Sequence, residues 1–491
     1  MLCLPGEIWE LILLQATLCR GVRRALRLRL VCKAFDKIIY YRALFDSHLL
    51  DHERVKLRHS RETVHLRNSN DHGVAKLWHD YLVYRAMGEH DATIGRYVEI
   101  RRLAQAVIAE DPSKDLRGVV DSLCWLALDN GVTAPGLYTN WGRTVDSNQY
   151  RRMKEPEPRL NLLAAAALFD MMPLASELLA EGRDPTRHNN LLPPAIQVAA
   201  QSGNTDMLKL FLDKLSSSDL EPYSIYGAAV RGDLEMMKLV LPERSGNGPD
   251  DEGYGTYRSS ARSHSAVKEA LPKARRVTLN PEVYQYLSNA WAPGRRSARN
   301  PWYADLVSHA GRGNVEMVEY LLARGVPVDA TNSEELESAL ERACRKGQDE
   351  VVDLLLARGA DPNYVCHALW GANPVCMAAA GGHISIMRKL IDHGADLEKK
   401  GGESGGFRDA MQWAYHLEHA QMIALLLESG ATIRDGVSLA TKLSRMGYQS
   451  MVSDLQRRGF EPNETNHDLL LPGRDLAGSV SRKNQGYGFR S

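Results

Sequence analysis

The chain repeats one phrase. It reads GNVEMVEYLLARG over Gly313–Gly325, GQDEVVDLLLARGADPN over Gly347–Asn363 and GGHISIMRKLIDHGADLE over Gly381–Glu398, with the opening glycines Gly313, Gly347 and Gly382 standing 34 and 35 residues apart. A period in this range belongs to an array of helical units, none of which can bury its apolar face alone. The core is therefore a strip shared between neighbours, and every repeat has one face left for another molecule.

Each phrase reads as two helices and a turn. Val315, Val318, Leu321 and Leu322 fall on one face of a 3.6-residue helix. Glycine closes that helix at Gly325, Gly359, Gly394, Gly430 and Gly459, where a left-handed cap carries no Cβ penalty. The stretch before each opening glycine is small and alanine-rich, as in Asn373-Pro374-Val375-Cys376-Met377-Ala378-Ala379, where proline starts a helix and alanine lets helices approach closely. Weaker copies run over 169–182 and from Gly203, Gly232, His419 and Gly447, which with the three clear ones make eight between Leu160 and Pro462. Glu418 stands where an opening glycine belongs, and a distorted repeat is expected there. The step from Gly232 to Gly313 is more than two periods long, and 243–300 is rich in Gly, Ser, Arg and Pro. An exposed insertion with a short helix near Val283–Trp291 is expected, dividing the array into two stacks; a degenerate repeat within it is the alternative.

These phrases resemble the ankyrin repeat. Gly359-Ala360-Asp361-Pro362-Asn363 and Gly394-Ala395-Asp396 match its Gly-Ala-Asp-Pro finger closely, and Asn373-Pro374-Val375-Cys376 matches its Thr-Pro-Leu-His opening loosely. The resemblance implies a helical solenoid whose concave face binds other proteins. Aromatic anchors for such a target are Tyr364 after a finger, Trp370 between finger and helix, and Trp413 on a first helix, though packing in the core would use the same residues.

A second pattern lies at the N-terminus. Leu4-Pro5-Gly6-Glu7-Ile8 leads into Leu11, Ile12 and Leu13, and Leu26, Leu28, Leu30, Val31, Cys32, Lys33 and Phe35 follow. This order resembles the F-box, although the basic connection between Leu14 and Leu26 is longer than the family's usual one. The resemblance implies a small three-helix domain that docks on the Skp-family adaptor of a cullin-RING ubiquitin ligase through Leu4, Pro5, Ile8, Ile12, Leu28, Val31 and Cys32. By apolar spacing alone, residues 1–41 would serve equally as a helical cap on the array.

The expected architecture is all-α: an F-box-like domain at 1–45, a helical connecting segment at 46–155, a first repeat stack at 156–242, the insertion at 243–300, a second stack at 301–465 and a disordered tail at 466–491. Within the connecting segment, Tyr97, Ile100, Leu103, Ala104, Val107 and Ile108 keep helical spacing, as does the apolar run Leu116–Leu128. Glu155-Pro156-Glu157-Pro158 marks its end, because residues before proline avoid the helical region.

Charge and cysteine usage point to an intracellular binding protein, cytoplasmic or nuclear. Lys+Arg and Asp+Glu each number 61, so no global field draws the chain to nucleic acid or an anionic membrane. The seven cysteines are scattered and form neither a disulfide framework nor a zinc ribbon; Cys344 and Cys376 read as packing groups in first helices. No signal peptide or membrane-spanning run is expected. Phosphate-loop, zinc-protease and nucleophile-elbow motifs are absent, so neither an enzyme, a cofactor nor a small-molecule substrate is expected. His416 and His419 share a helix face without a third ligand nearby. Asp305, Glu316, Glu319, Glu334 and Glu335 read as solvated surface. The basic runs Arg20–Arg29 and Lys273, Arg275 and Arg276 read first as solvated faces, with phosphate binding or nuclear import as the alternative uses.

Overall fold

A computed structural model describes residues 72–88, 96–129, 157–187, 191–215, 222–242, 270–290, 301–332, 337–365, 373–399 and 409–463. The F-box-like segment with its adaptor-facing residues, the Arg20–Arg29 run, Trp370 and the tail lie outside them. Three helices come first: α1 (His72–Gly88), α2 (Arg96–Glu110) and α3 (Leu116–Asp129). The first two repeats follow as α4 (Pro158–Leu168) with α5 (Met172–Ala180), then α6 (Ala195–Ser202) with α7 (Thr205–Asp213). The third and fourth are α8 (Pro222–Arg231) with α9 (Leu234–Val240), then α10 (270–277) with α11 (Pro281–Ala290). The fifth is α12 (Pro301–Arg312) with α13 (Val315–Ala323), and the sixth α14 (Ala339–Lys346) with α15 (Asp349–Ala357). The last three are α16 (Pro374–Gly381) with α17 (Ile384–Asp392), α18 (Ala410–His416) with α19 (Ala420–Glu428), and α20 (Gly436–Arg445) with α21 (Gln449–Arg457). Between the fifth and sixth, β1 (Thr331–Asn332) pairs antiparallel with β2 (Glu337–Ser338).

The all-α solenoid expected from the period is the fold observed. Even-numbered helices form an inner row in which α4, α6 and α8, then α12, α14, α16 and α18, pack side by side; odd-numbered helices back them. Alanine makes the inner row possible: Ala164–Ala167 in α4 and Ala378–Ala379 in α16 are buried. The outer helices bury the same three positions each time: Met317, Val318 and Leu321; Val351, Val352 and Leu355; Ile386, Met387 and Leu390. All five closing glycines are left-handed, with φ from +78° to +90°. The opening position is left-handed too, and Glu418 holds it at φ +53° without glycine. The expected distortion is absent. Glu418 N–H donates to the Tyr415 carbonyl and His419 N–H to that of Ala414, the same pair of bonds that Gly382 and His383 make one repeat earlier.

The connecting helices are continuous with the array, since α2 packs on α4 and α1–α3 share one apolar core with the first four repeats. A second core runs through repeats five to nine. They meet on α11, where Val283 and Leu287 face the first and Tyr284 the second.

At this junction residues 270–290, inside the stretch expected as an exposed insertion, are packed instead, in line with the alternative of a degenerate repeat. Residues 270–290 are a fourth repeat, with Leu271, Ala274, Val277, Val283 and Leu287 buried, and they make the observed helix pairs among the described residues nine. Asn280 Nδ2 ties it to the third repeat through the Gly232 carbonyl at 2.9 Å, and the Tyr286 hydroxyl does so through the Leu241 carbonyl. On the other side Asp305 of α12, expected in solvent, is wholly buried: it meets Arg275 at 3.1 Å and Arg276 at 3.4 Å and accepts from the Tyr284 hydroxyl at 2.8 Å. Burial pushes its carboxyl above the ordinary carboxylate range against the pull of the two arginines, and raises the Tyr284 hydroxyl as well. The basic cluster read at Lys273–Arg276 is thus partly an internal ion-pair group and not a free phosphate grip.

Candidate protein-binding surface

An inner helix is held by its inner neighbours and its own outer helix, which leaves one side uncovered. Counting back from each opening residue, that side carries positions five, two and one. In repeats six to nine these are Arg342, Arg345 and Lys346; Met377, Ala380 and Gly381; Trp413, His416 and Leu417; Lys442, Arg445 and Met446. Arg342 is buried, and the other long side chains on this side are half-buried or exposed. None of these positions carries Asp or Glu. In the fifth repeat the corresponding residues are Ser308, which is buried, Gly311, which the Arg342 side chain covers, and Arg312.

Glu337 holds one end of this face. Its carboxylate accepts from Arg342 at 2.9 Å and from Arg345 through two bonds of 2.8 Å, so two guanidinium groups share one negative charge. The fork geometry fixes the Arg345 side chain, and a single charged bond ties Arg342 to the same carboxylate. At the other end burial pulls the Lys442 ammonium below its usual pKa.

The fingers are stitched by a repeating bond. The residue four past each closing glycine accepts from the backbone N–H two past the next: Asp329 from Asp361 at 3.2 Å, Asn363 from Asp396 at 2.7 Å, Glu398 from Thr432 at 2.6 Å. Asn363 Nδ2 also donates to the Gly394 carbonyl at 3.1 Å. In the next finger the accepting position is Arg434, which cannot accept and turns back to pair with Glu398. At the opposite end of the inner helices a second row staples neighbours: Asn204 donates to the Ala167 carbonyl and Gln348 to that of Gly311. His383 takes this place over Gly347, where a Cβ would come within 2.4 Å of its ring.

The anchors read from the sequence are only partly brought together. Trp413 lies on the uncovered side, half-buried against the second core, with its ring centroid 5.9 Å from that of His416. Tyr364 is half-buried at the root of a finger, its N–H donating to the Asp361 carbonyl at 3.0 Å. His416 and His419 have separate tasks. His416 sits 5.7 Å from the Tyr448 ring, and His419 Nδ1 caps α19 by accepting from Met422 N–H. Cys344 and Cys376 are buried thiols outside any disulfide, and burial raises the Cys344 thiol well above its ordinary value. Among the described residues no group of three or more His, Cys, Asp or Glu is placed to hold a metal ion, and no helix is long and apolar enough to cross a membrane.

The family model for ankyrin repeats, three copies, matches residues 280–366. These are ankyrin repeats. The match begins at Asn280, so it takes in α11, inside the stretch read as an insertion. Three relatives are similar to stretches of this chain. The inactive serine/threonine-protein kinase TEX14 of Bos taurus is 39% identical over 111 residues, 23% of this chain and 7% of the relative. An ankyrin repeat, SAM and basic leucine zipper domain-containing protein of Dasypus novemcinctus is 37% identical over 105 residues, 20% of this chain and 21% of the relative. An ankyrin repeat-containing protein of Treponema pallidum is 39% identical over 124 residues, 25% of this chain and 40% of the relative. The chain spans less than half the length of each. Ankyrin arrays are protein-interaction scaffolds, and an uncovered inner face beside stitched fingers is a surface for a protein partner.

Proposed function

We propose that the protein is a non-catalytic adaptor, the substrate-recognition subunit of a Skp-cullin-F-box ubiquitin ligase. The observation that carries the ligase half is the order of the N-terminal landmarks, Leu4-Pro5-x-Glu7-Ile8 followed by Leu28-x-Leu30-Val31-Cys32-Lys33-x-Phe35. In this reading Leu4, Pro5, Ile8, Ile12, Leu28, Val31 and Cys32 dock on the Skp-family adaptor, and the ankyrin array holds a target whose lysines receive ubiquitin. Tyr364, Trp370 and Trp413 are the proposed target anchors. A stack of nine repeats with shared buried cores, tied by finger bonds from the fifth to the eighth, loses little conformational freedom on binding, which favours capture through a few anchors. The complex would act in the cytosol or nucleus.

The test is co-purification of the intact chain with a Skp-family adaptor and cullin, beside a Leu4→Ala, Pro5→Ala, Ile8→Ala variant with an unchanged melting transition. Binding lost only in the variant supports the reading. An intact chain that captures neither component makes the N-terminus a cap and the protein a plain ankyrin scaffold.

A further inference from the structure

We propose that the seam between the fourth and fifth repeats takes an aromatic side chain of a partner protein, with a carboxylate on the residue beside it. The site lies at the finger end of the array, where outer helices stop and inner helices start, and it does not depend on the ligase reading.

A cavity of about 240 Å³ opens there, lined by Tyr284 and Ser288 of α11, Trp302 of α12, Leu321 of α13, and Arg324 and Val326 just beyond it. Tyr284, Leu321 and Val326 are buried, whereas Trp302 is 41% exposed and Arg324 is exposed. The cavity therefore combines a buried apolar lining with a way out to solvent past an indole and a guanidinium. A cavity of roughly 150 Å³ admits benzene, and sites for drug-sized ligands start near 300 Å³. The size here suits one ring with the atoms that attach it.

The guanidinium sets the second requirement. Gln285 and Arg324 stand where Glu319 and Arg358 stand one repeat later. In that later repeat the outer helices are joined by an ion pair, Arg358 to Glu319 at 2.6 Å. At this seam the same bond runs from Arg324 to the side-chain oxygen of Gln285, which also accepts from the Tyr320 hydroxyl at 2.8 Å. An amide holds the arginine without neutralising it. The guanidinium also lies over the Tyr320 ring, 5.0 Å from its centroid, and among the described residues it meets no carboxylate. The connection 291–300, which joins α11 to α12 in sequence, contains no Asp or Glu. An exposed arginine is ordinarily satisfied by water, but this one is already oriented, so a carboxylate docks on it without ordering a loose side chain. A fixed positive charge beside an apolar cavity selects a partner that is apolar at the ring and anionic next to it.

The experiment titrates the full chain with the peptide acetyl-Gly-Phe-Asp-Gly-amide, fluorinated on its ring, and follows it by fluorine NMR. Saturable binding at millimolar peptide is expected, weaker by about threefold to fivefold when the peptide's Asp is replaced by Asn. Arg324→Gln should bind both peptides alike, at the strength of the Asn peptide on the unaltered chain, a result that a misfolded variant cannot give. Ser288 donates its hydroxyl to the Tyr284 carbonyl within its own helix at 2.8 Å, so Ser288→Leu fills the cavity without cutting a bond between elements. It should abolish binding of both peptides while the melting temperature stays equal or rises. The inference is overturned if the Phe peptide binds no better than one with Ala in its place, if the Asp and Asn peptides bind the unaltered chain alike, or if Ser288→Leu binds them unchanged. It is overturned too if the peptide binds only after Trp291→Ala, which would give the cavity to the chain's own ring. Self-association that Ser288→Leu abolishes, seen by light scattering, would give it to a second copy and would equally overturn the inference. None of these outcomes bears on the co-purification test of the ligase reading.

Discussion

Arg275 and Asp305 meet at 3.1 Å between the fourth and fifth repeats with neither side chain reaching solvent. The pair sits where the two apolar cores adjoin, and the Tyr284 hydroxyl and Arg276 share the same carboxylate. Removing one partner of a buried ion pair costs roughly 3–5 kcal/mol, because the survivor stays charged in the interior. Asp305→Ala should therefore separate the unfolding of the N-terminal and C-terminal halves in a urea titration. Replacing the pair by Arg275→Met and Asp305→Leu should be far milder, since apolar groups of similar size carry no desolvation cost. Equal losses in the single and double variants would show that shape, not charge, holds the joint.

Asn363 carries two rungs of the finger ladder, accepting from Asp396 N–H and donating to the Gly394 carbonyl. Each such bond contributes about 1 kcal/mol net, so Asn363→Ala should lower stability by about 1–2 kcal/mol. Amide exchange at Asp396 should accelerate more than exchange at the buried Ile386, Met387 and Leu390 of α17. If protection at Asp396 is unchanged, the fingers are aligned by packing alone.

Two glycines should fail for different reasons. Gly359 has φ +85° and nothing within 4 Å of an added Cβ, so Gly359→Val tests backbone strain alone. A left-handed L-residue costs roughly 1–2 kcal/mol, more when β-branched, and a lowered melting temperature is expected. Gly227 is not left-handed, but a Cβ there would lie 2.5 Å from the Gln197 carbonyl. Gly227→Ala should push α6 and α8 apart and lose more stability than Gly359→Ala. The reverse order, measured by thermal melts, would contradict the inner-row packing.

What the sequence disclosed follows from which residues have no substitute. A left-handed closing turn favours glycine strongly, so Gly325, Gly359 and Gly394 spell the period aloud. The opening turn is less demanding: Asp170 and Glu418 hold it at φ +56° and +53°. The fourth repeat was hidden because Leu279, exposed at 42%, stands at its opening position. The signal was present one residue later, where Asn280-Pro281-Glu282-Val283-Tyr284-Gln285-Tyr286-Leu287 keeps the pattern of Asn314-Val315-Glu316-Met317-Val318-Glu319-Tyr320-Leu321. The buried ion pair was illegible, since a charged residue in sequence carries no mark of a partner thirty positions away. The inner face was half legible: Trp413 could be named as a candidate, but the hold of Glu337 on Arg342 and Arg345 shows only in the folded repeat.

Asp454 of α21 joins the last repeat to the eighth and should make that seam acid-sensitive. One of its oxygens accepts from the Tyr415 hydroxyl at 2.8 Å and from Arg458 at 2.9 Å, and Arg457 donates to the other at 3.2 Å. Burial works against its charge, but the bonds from Arg458 and Tyr415 and the charges of both arginines outweigh it and hold the carboxyl below its ordinary range. The folded state thus binds this proton more weakly than the unfolded chain does. The resulting stability is in full force above the ordinary carboxylate pKa and is lost as pH falls through the depressed one. Trp413, on α18 in the same seam and linked to Tyr448 through His416, is a local reporter. With the other seven tryptophans replaced by phenylalanine, its fluorescence should reveal acid loosening of the last repeat. Asp454→Asn should lower stability at neutral pH and flatten that acid response, because asparagine has no proton to gain. An acid transition at Trp413 that is identical in the two proteins would assign the sensitivity to other carboxylates.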